Sequence, residues 1–194
     1  MKLKHAVMAL ATPLVMNAQQ VMTPEILWTL NRIGVQAVSP DQSSLIYRVS
    51  KTDLKTEKSN SENYFLNLIS NSATMLDLGK RSIIQWDKNG LYALEGDNIV
   101  ISKDAGKTWT TFYNVGKVDN IIISPDGKKI AFSKAVLVEK VNGTDLYQDT
   151  PKSSAQVYTD LNYRHWDTWS DGTYNHIFVV NTDVPVDKAK DLLE

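Results

Sequence analysis

The sequence predicts an all-β fold: a partial β-propeller of three to four blades, preceded by a signal peptide and a short N-terminal helix. Three observations predict it. A strand–turn–strand unit built on Ser-Pro-Asp occurs at residues 38–47 and again at 123–132, with an offset of 85 at every position. Weaker copies stand at residues 84–93 and around Ser170-Asp171-Gly172. The turn aspartates Asp41, Asp87, Asp126 and Asp171 are spaced by 46, 39 and 45 residues, and periods of ~40–50 residues with several short strands each are those of propeller blades. A β-sandwich has no need of one turn formula at a roughly fixed period.

Composition bounds the function classes. The chain has 194 residues, the length of one domain or a piece of a larger one at ~100–200 residues per domain. Lys and Arg total 21 against 22 Asp and Glu, so no electrostatic footprint for nucleic acid is present. With 42% hydrophobic and 22% charged residues, a packed core is feasible. The chain has no cysteine, which excludes a disulfide scaffold, a thiolate metal site and a cysteine nucleophile. Of its three histidines, His5 falls in the leader read at residues 1–18, and His165 and His176 leave little room for a self-contained zinc site or a hydrolase triad. No metal and no cofactor are expected.

Residues 1–18 read as a signal peptide. Lys2, Lys4 and His5 precede an apolar run from Ala6 to Met16 and then Asn17-Ala18, the charged–apolar–cleavable order of an export leader. The run is too short for a membrane span, which takes ~20 residues. The mature protein is therefore expected outside the cytoplasm, periplasmic or extracellular, without a membrane span. Residues 19–36 form the lead-in. Thr23-Pro24-Glu25 supplies a cap, a proline at the first helical position and an acid in the first turn. That helix is expected to carry Ile26, Leu27, Trp28 and Leu30 and to end near Gly34.

Residues 37–194 form the incomplete propeller domain. Each unit runs apolar strand, Ser, then Pro-Asp turn chemistry, then a second alternating strand. Strands are expected at 64–69 and 98–101, and long loops at 51–63 and 141–145. The segment 185–194 reads as an exposed stretch of helical tendency, without an obvious closing strand.

The motifs carry little chemistry. No G-x-S-x-G, G-x-x-x-x-G-K, G-x-G-x-x-G or H-E-x-x-H occurs, so no nucleophile elbow, phosphate cradle or helical zinc site is visible. Residues 102–109 match the Asp-box pattern S-x-D-x-G-x-T-W. The pattern describes a hairpin turn and occurs in sialidases and other propellers. A sialidase-like reading also needs an arginine cluster, and Arg32, Arg48, Arg81 and Arg164 are the only arginines. The densest polar–aromatic cluster is Tyr163-Arg164-His165-Trp166-Asp167-Thr168-Trp169. On one strand His165 and Asp167 would share a face, with His176 across a hairpin. An acid–base or metal reading of these three is weighed against a structural one, in which the Trp residues pack between blades and the polar groups tie blades together.

These residues also carry a resemblance. Residues 22–34, followed by Val38-Ser39-Pro40-Asp41, resemble the mature N-terminus of secreted bacterial serine peptidases of the prolyl oligopeptidase family. The closest groups are the dipeptidyl-peptidase and acylaminoacyl-peptidase-like members. Residues 161–172 with 176–179, and the preceding 133–138 and 147–151, resemble a propeller segment of the same group. The resemblance implies an N-terminal propeller that gates and positions short peptides, and a C-terminal α/β-hydrolase domain in cis that carries a Ser-Asp-His triad. No catalytic residue has a counterpart in this chain, which is expected to be inactive alone. Arg164, His165, Trp166 and Asp167 are the substrate-binding candidates. The alternative is a stand-alone extracytoplasmic propeller-like binding module for protein or glycan.

Overall fold

Local turn chemistry sets the frame. The computed structural model describes residues 21–147, 149, 152, 154–161 and 163–194; the leader read at 1–18 lies outside them. The first sheet consists of β1 (Arg32–Val38), β2 (Ser44–Asp53), β3 (Lys58–Asn67) and β4 (Ser72–Met75), paired antiparallel in chain order. The second consists of β5 (Ser82–Asp87), β6 (Gly90–Glu95), β7 (Asn98–Ser102) and β8 (Thr110–Asn114), likewise sequential. The third opens with β9 (Asp119–Ile123) and β10 (Lys129–Leu137). After an insertion at residues 138–172 it is completed by β13 (Thr173–Asn181) and β14 (Lys190–Asp191). Within the insertion lie the one-turn helix α2 (Gly143–Leu146) and a hairpin of β11 (Arg164–His165) and β12 (Thr168–Trp169).

Each sheet begins with the same device. Ser39 Oγ donates to Asp41 Oδ1 (2.6 Å) and accepts from Ser44 N (2.9 Å). Ser124 Oγ donates to Asp126 Oδ1 (2.6 Å) and accepts from Lys129 N (2.9 Å). In the second sheet Gln85 takes the serine's place, its Nε2 donating to Asp87 Oδ2 (3.0 Å). Asp41, Asp87 and Asp126 therefore mark the first hairpin of each sheet. Asp171 does not mark a fourth. It accepts from Thr173 N (2.9 Å) at the re-entry of the chain into β13, so the spacing of 45 measures the insertion. The described residues form three four-stranded sheets and close no ring.

The second sheet is covered on both faces. Leu91 joins Ala37 and Ile46 of the first sheet in one cluster. Its neighbour Tyr92 joins Ile99, Ile130, Phe132 and Val180 in the cluster shared with the third. This explains why β6 and β7 read Leu-Tyr-Ala-Leu and Ile-Val-Ile without polar alternation. The other two sheets expose their outer faces, where Ile33 is 70% and Ile122 64% accessible.

Several sequence expectations need correction. The lead-in helix α1 spans only Pro24–Thr29. Thr23 caps it, its Oγ1 accepting from Ile26 N (3.3 Å). The chain then turns extended at Leu30, and Gly34 lies inside β1, where strand pairing outcompetes another helical turn. Residues 51–63 are not a loop: β2 and β3 pair continuously to Asp53 and Lys58. At 141–145 there is a bridge from Asn142 to Gln156 followed by α2. The segment 185–194 holds one 3₁₀ turn, Val186–Lys188, and then β14, which closes the third sheet's edge. Among the described residues no helix is long and apolar enough to cross a membrane.

Candidate functional site

The candidate residues Arg164, His165, Trp166 and Asp167 all sit on the insertion. They do not share a strand. Trp166 adopts φ +56°, in the left-handed region that a bulky residue rarely takes. The chain therefore reverses at Trp166 and Asp167, and Arg164 pairs with Trp169 and His165 with Thr168. The reversal removes the one-strand arrangement of His165 and Asp167. His176 is elsewhere, on β13, where its Nδ1 lies 2.7 Å from Asp191 Oδ2. Burial disfavours the Asp191 carboxylate, but the Leu193 N–H and His176 outweigh it and hold its pKa below the ordinary value. Thus the acid–base or metal constellation of His165, Asp167 and His176 is not assembled. Among the described residues no three His, Asp or Glu converge as metal ligands.

What is assembled is an aromatic stack. The rings of Tyr158, Tyr163 and Trp169 pack near-parallel and offset, each against the other two, with centroids 5.3 Å, 5.6 Å and 6.1 Å apart. The Arg164 guanidinium covers the Trp169 ring at 5.3 Å, a geometry attractive through the ring quadrupole. Tyr158 OH donates to Ser170 O (2.8 Å) and so ties the stack to the strand returning to the sheet. At the hairpin tip Trp166 is 86% exposed. Beneath, Val141, Leu146, Val157 and Tyr174 border an open cleft with Tyr158 and Tyr163. The arrangement suits contact with an extended chain: one projecting indole, one cation and a rigid aromatic base. Tyr158 was not singled out from sequence, because nothing in its spacing links it to Trp169.

The insertion is anchored at its root. Val138 N and Glu139 N both donate to Gly172 O (3.0 and 3.1 Å). Gly172 has φ +78°, and a Cβ there would meet Glu139 O at 2.0 Å, so only glycine fits.

The Asp-box turn is architectural. Asp104 accepts from Thr108 N (2.8 Å), Thr108 Oγ1 (2.7 Å) and Ser102 Oγ (2.7 Å). Led by the two Thr108 bonds, these lower its pKa to about 2. Trp109 Nε1 donates to Gly106 O (3.0 Å), and its ring packs against the first two sheets' shared cluster. The polar groups of Ser102, Asp104, Thr108 and Trp109 are thus engaged within the turn itself.

Known proteins resemble the chain in both sequence and fold. No protein-family model matches it. It is 30% identical to dipeptidyl-peptidase 5 of Porphyromonas gingivalis over 92% of its own length, and as similar to that of Porphyromonas endodontalis. The chain spans 27% of the length of each relative. An acylaminoacyl peptidase of Pyrococcus horikoshii superposes on 86% of the chain with a TM-score of 0.54 at 10% identity, the match covering 25% of that protein. An acylaminoacyl peptidase in complex with Z-Gly-Gly-Phe-chloromethyl ketone gives 0.53 over 84% of the chain and 25% of its own. The chain is thus related, over nearly all of its length, to about a quarter of a peptidase of the prolyl oligopeptidase family.

Proposed function

We propose that this chain is the N-terminal propeller part of an exported serine peptidase of the prolyl oligopeptidase family, three blades of a larger ring. In the whole protein it gates and positions short peptides for a hydrolase domain in cis. The observation that carries the reading is the identity of 30% to dipeptidyl-peptidase 5 across 92% of the chain. The exposed apolar outer faces of the first and third sheets support further blades, since such faces are otherwise covered in soluble proteins. In this reading the chemistry belongs to the hydrolase domain: a serine attacks the peptide carbonyl, a histidine takes its proton and backbone N–H groups hold the oxyanion. The contribution of these residues is selection. Trp166 and Arg164 are the contacts proposed for the peptide.

Two measurements test this. The first is the mass of the native polypeptide detected in source cells with an antibody to this segment, together with the compartment that holds it. A species much heavier than 21.8 kDa outside the cytoplasm is expected. The second is peptidase assay of the purified 194-residue chain and of the heavier species. The heavier one is expected to cleave dipeptidyl substrates, the short one not. In the heavier species Trp166→Ala is expected to raise KM severalfold with kcat little changed, because it removes binding alone. A native species at or just below 21.8 kDa that binds peptides without cleaving them would favour the stand-alone binding module.

A further inference from the structure

The β2–β3 hairpin outruns both of its neighbours. β1 pairs with β2 only as far as Ser50, and β4 with β3 only as far as Tyr64. The hairpin's own ladder continues to Asp53 and Lys58. Thr29 and Asn31 of the lead-in border one cleft with Lys51 and Thr52 of β2 and with Asn60 and Glu62 of β3. On the β3 side residues 58–62 are all exposed, and among the described residues no strand pairs with their outer edge.

The two-residue period of a strand decides which backbone groups that edge presents. Leu76 N donates to Asn63 O (2.8 Å), so Asn63 faces the β4 side. Ser61 and Ser59 face the same way, with their N–H and C=O directed past the end of β4. Their hydroxyls are engaged within the ribbon, Ser61 with Ser50 (2.8 Å) and Ser59 with Thr52 (2.9 Å). Lys58, Asn60 and Glu62 alternate with them. Tyr64 OH donates to Glu62 Oε2 (2.6 Å), which holds that carboxylate in place and leaves Oε1 open.

We propose that this edge pairs with itself: β3 of one copy joins β3 of a second, antiparallel, about a two-fold axis at Asn60. In that register Ser59 lies opposite Ser61 of the second copy, twice, and each pair exchanges both backbone hydrogen bonds. Lys58 lies opposite Glu62 of the second copy, also twice, so each opposed pair carries opposite charges. Moving the axis to Ser61 sets Ser59 against Asn63, whose carbonyl already serves Leu76. Moving it to Ser59 sets Lys58 against Asn60 and loses the charge pairing. The self-complementary sequence Lys-Ser-Asn-Ser-Glu thus selects one register and a closed, isologous dimer. So short a pairing belongs to the weak end of protein interfaces, and the dimer is concentration-dependent.

Sedimentation of the full chain over the micromolar range tests this. The expected result is a reversible rise from 21.8 kDa to a plateau at twice that mass. Glu62→Lys is expected to weaken dimerisation roughly tenfold, because two like-charge pairs then face each other. The double variant Lys58→Glu/Glu62→Lys restores it by exchanging the partners. Ser61→Pro removes an outward N–H, at a position where an edge strand tolerates proline, together with the exposed hydroxyl bond to Ser50. It is expected to stay monomeric, whereas Ser61→Ala, which loses the same hydroxyl bond and keeps the N–H, still dimerises. The chain lacks cysteine, so Asn60→Cys reports the axis directly. It is expected to crosslink to itself on oxidation, while Ser82→Cys on the second sheet is not. A monomer at every concentration, association that Glu62→Lys and Ser61→Pro leave unchanged, or a double variant no better than the single one would each overturn the proposal.

Discussion

Gln85 completes a strand pairing with its side chain. Its Oε1 accepts from Ile123 N (3.0 Å) and its Nε2 donates to Ile123 O (3.1 Å). One amide thus does what a neighbouring strand's backbone does, and it joins the second sheet to the third. Removing it orphans two half-buried backbone groups, which costs about 1–3 kcal/mol. Gln85→Met is expected to lose that much in urea unfolding. Gln85→Glu should lose more, because a carboxylate would face both the Ile123 carbonyl and Asp87. A Gln85→Met variant as stable as the parent would show that the bridge is energetically silent.

The first turn holds a correctable strain. Gln42 adopts φ +58° where the equivalent turn of the third sheet uses Gly127, at φ +70°. Both donate their N–H to the turn's serine carbonyl, at 2.9 and 2.8 Å. A side chain in that region costs about 1–2 kcal/mol, part of which glycine's extra unfolded-state freedom offsets. Gln42→Gly is expected to stabilise the protein by about 0.5–1 kcal/mol, read as a higher melting temperature.

Acid should loosen the Asp-bearing turns. The Asp41 and Asp104 carboxyls are both lowered to about 2, Asp41 chiefly by the Ser39 and Ser43 hydroxyls. Their folded pKa lies below the unfolded value of about 3.9. Their stabilisation is therefore present above pH ~4 and is lost as pH falls toward ~2. Asp104→Asn is expected to lower the melting temperature at neutral pH and to flatten the acid slope in that window. An unchanged slope would assign acid sensitivity to other groups.

Gly172→Ala is expected to be among the most damaging single-methyl changes in the chain. Its Cβ would meet Glu139 O at 2.0 Å, whereas at Gly96, φ +60°, nothing lies within 4 Å. Gly96→Ala should cost only the left-handed term of about 1–2 kcal/mol, and Gly172→Ala clearly more, by thermal denaturation. Equal losses would mean that the insertion's root yields easily.

The legible parts of the fold were those written in local chemistry. Asp41, Asp87 and Asp126 act through bonds to groups two residues away, so their turns are visible in any short window. The sheet count was obscured because the insertion places Asp171 one blade-length beyond Asp126. The overhanging ribbon was hidden for a different reason. Both of its faces meet solvent, so Ser50, Thr52, Ser59 and Ser61 fill it with hydroxyls and no apolar alternation marks a strand. At the candidate site the cluster of Arg164 to Asp167 was visible, but its geometry was not. A left-handed Trp166 converts one strand into a hairpin, and Tyr158 enters the stack only through tertiary folding. The partner of His176 was likewise unreadable, because β14 is two residues long.

Strand order has a consequence for synthesis. In the first two sheets every strand pairs with the one before it, so each sheet can be complete as soon as its last strand is extruded, without waiting for distant chain. The third sheet's order, β14-β13-β10-β9, interrupts that sequence. Its first hairpin must remain half-paired while residues 138–172 emerge. A chain folding from its N-terminus would therefore pause with β10 exposed, and this interval is where a chaperone or a mispaired neighbour has its opportunity.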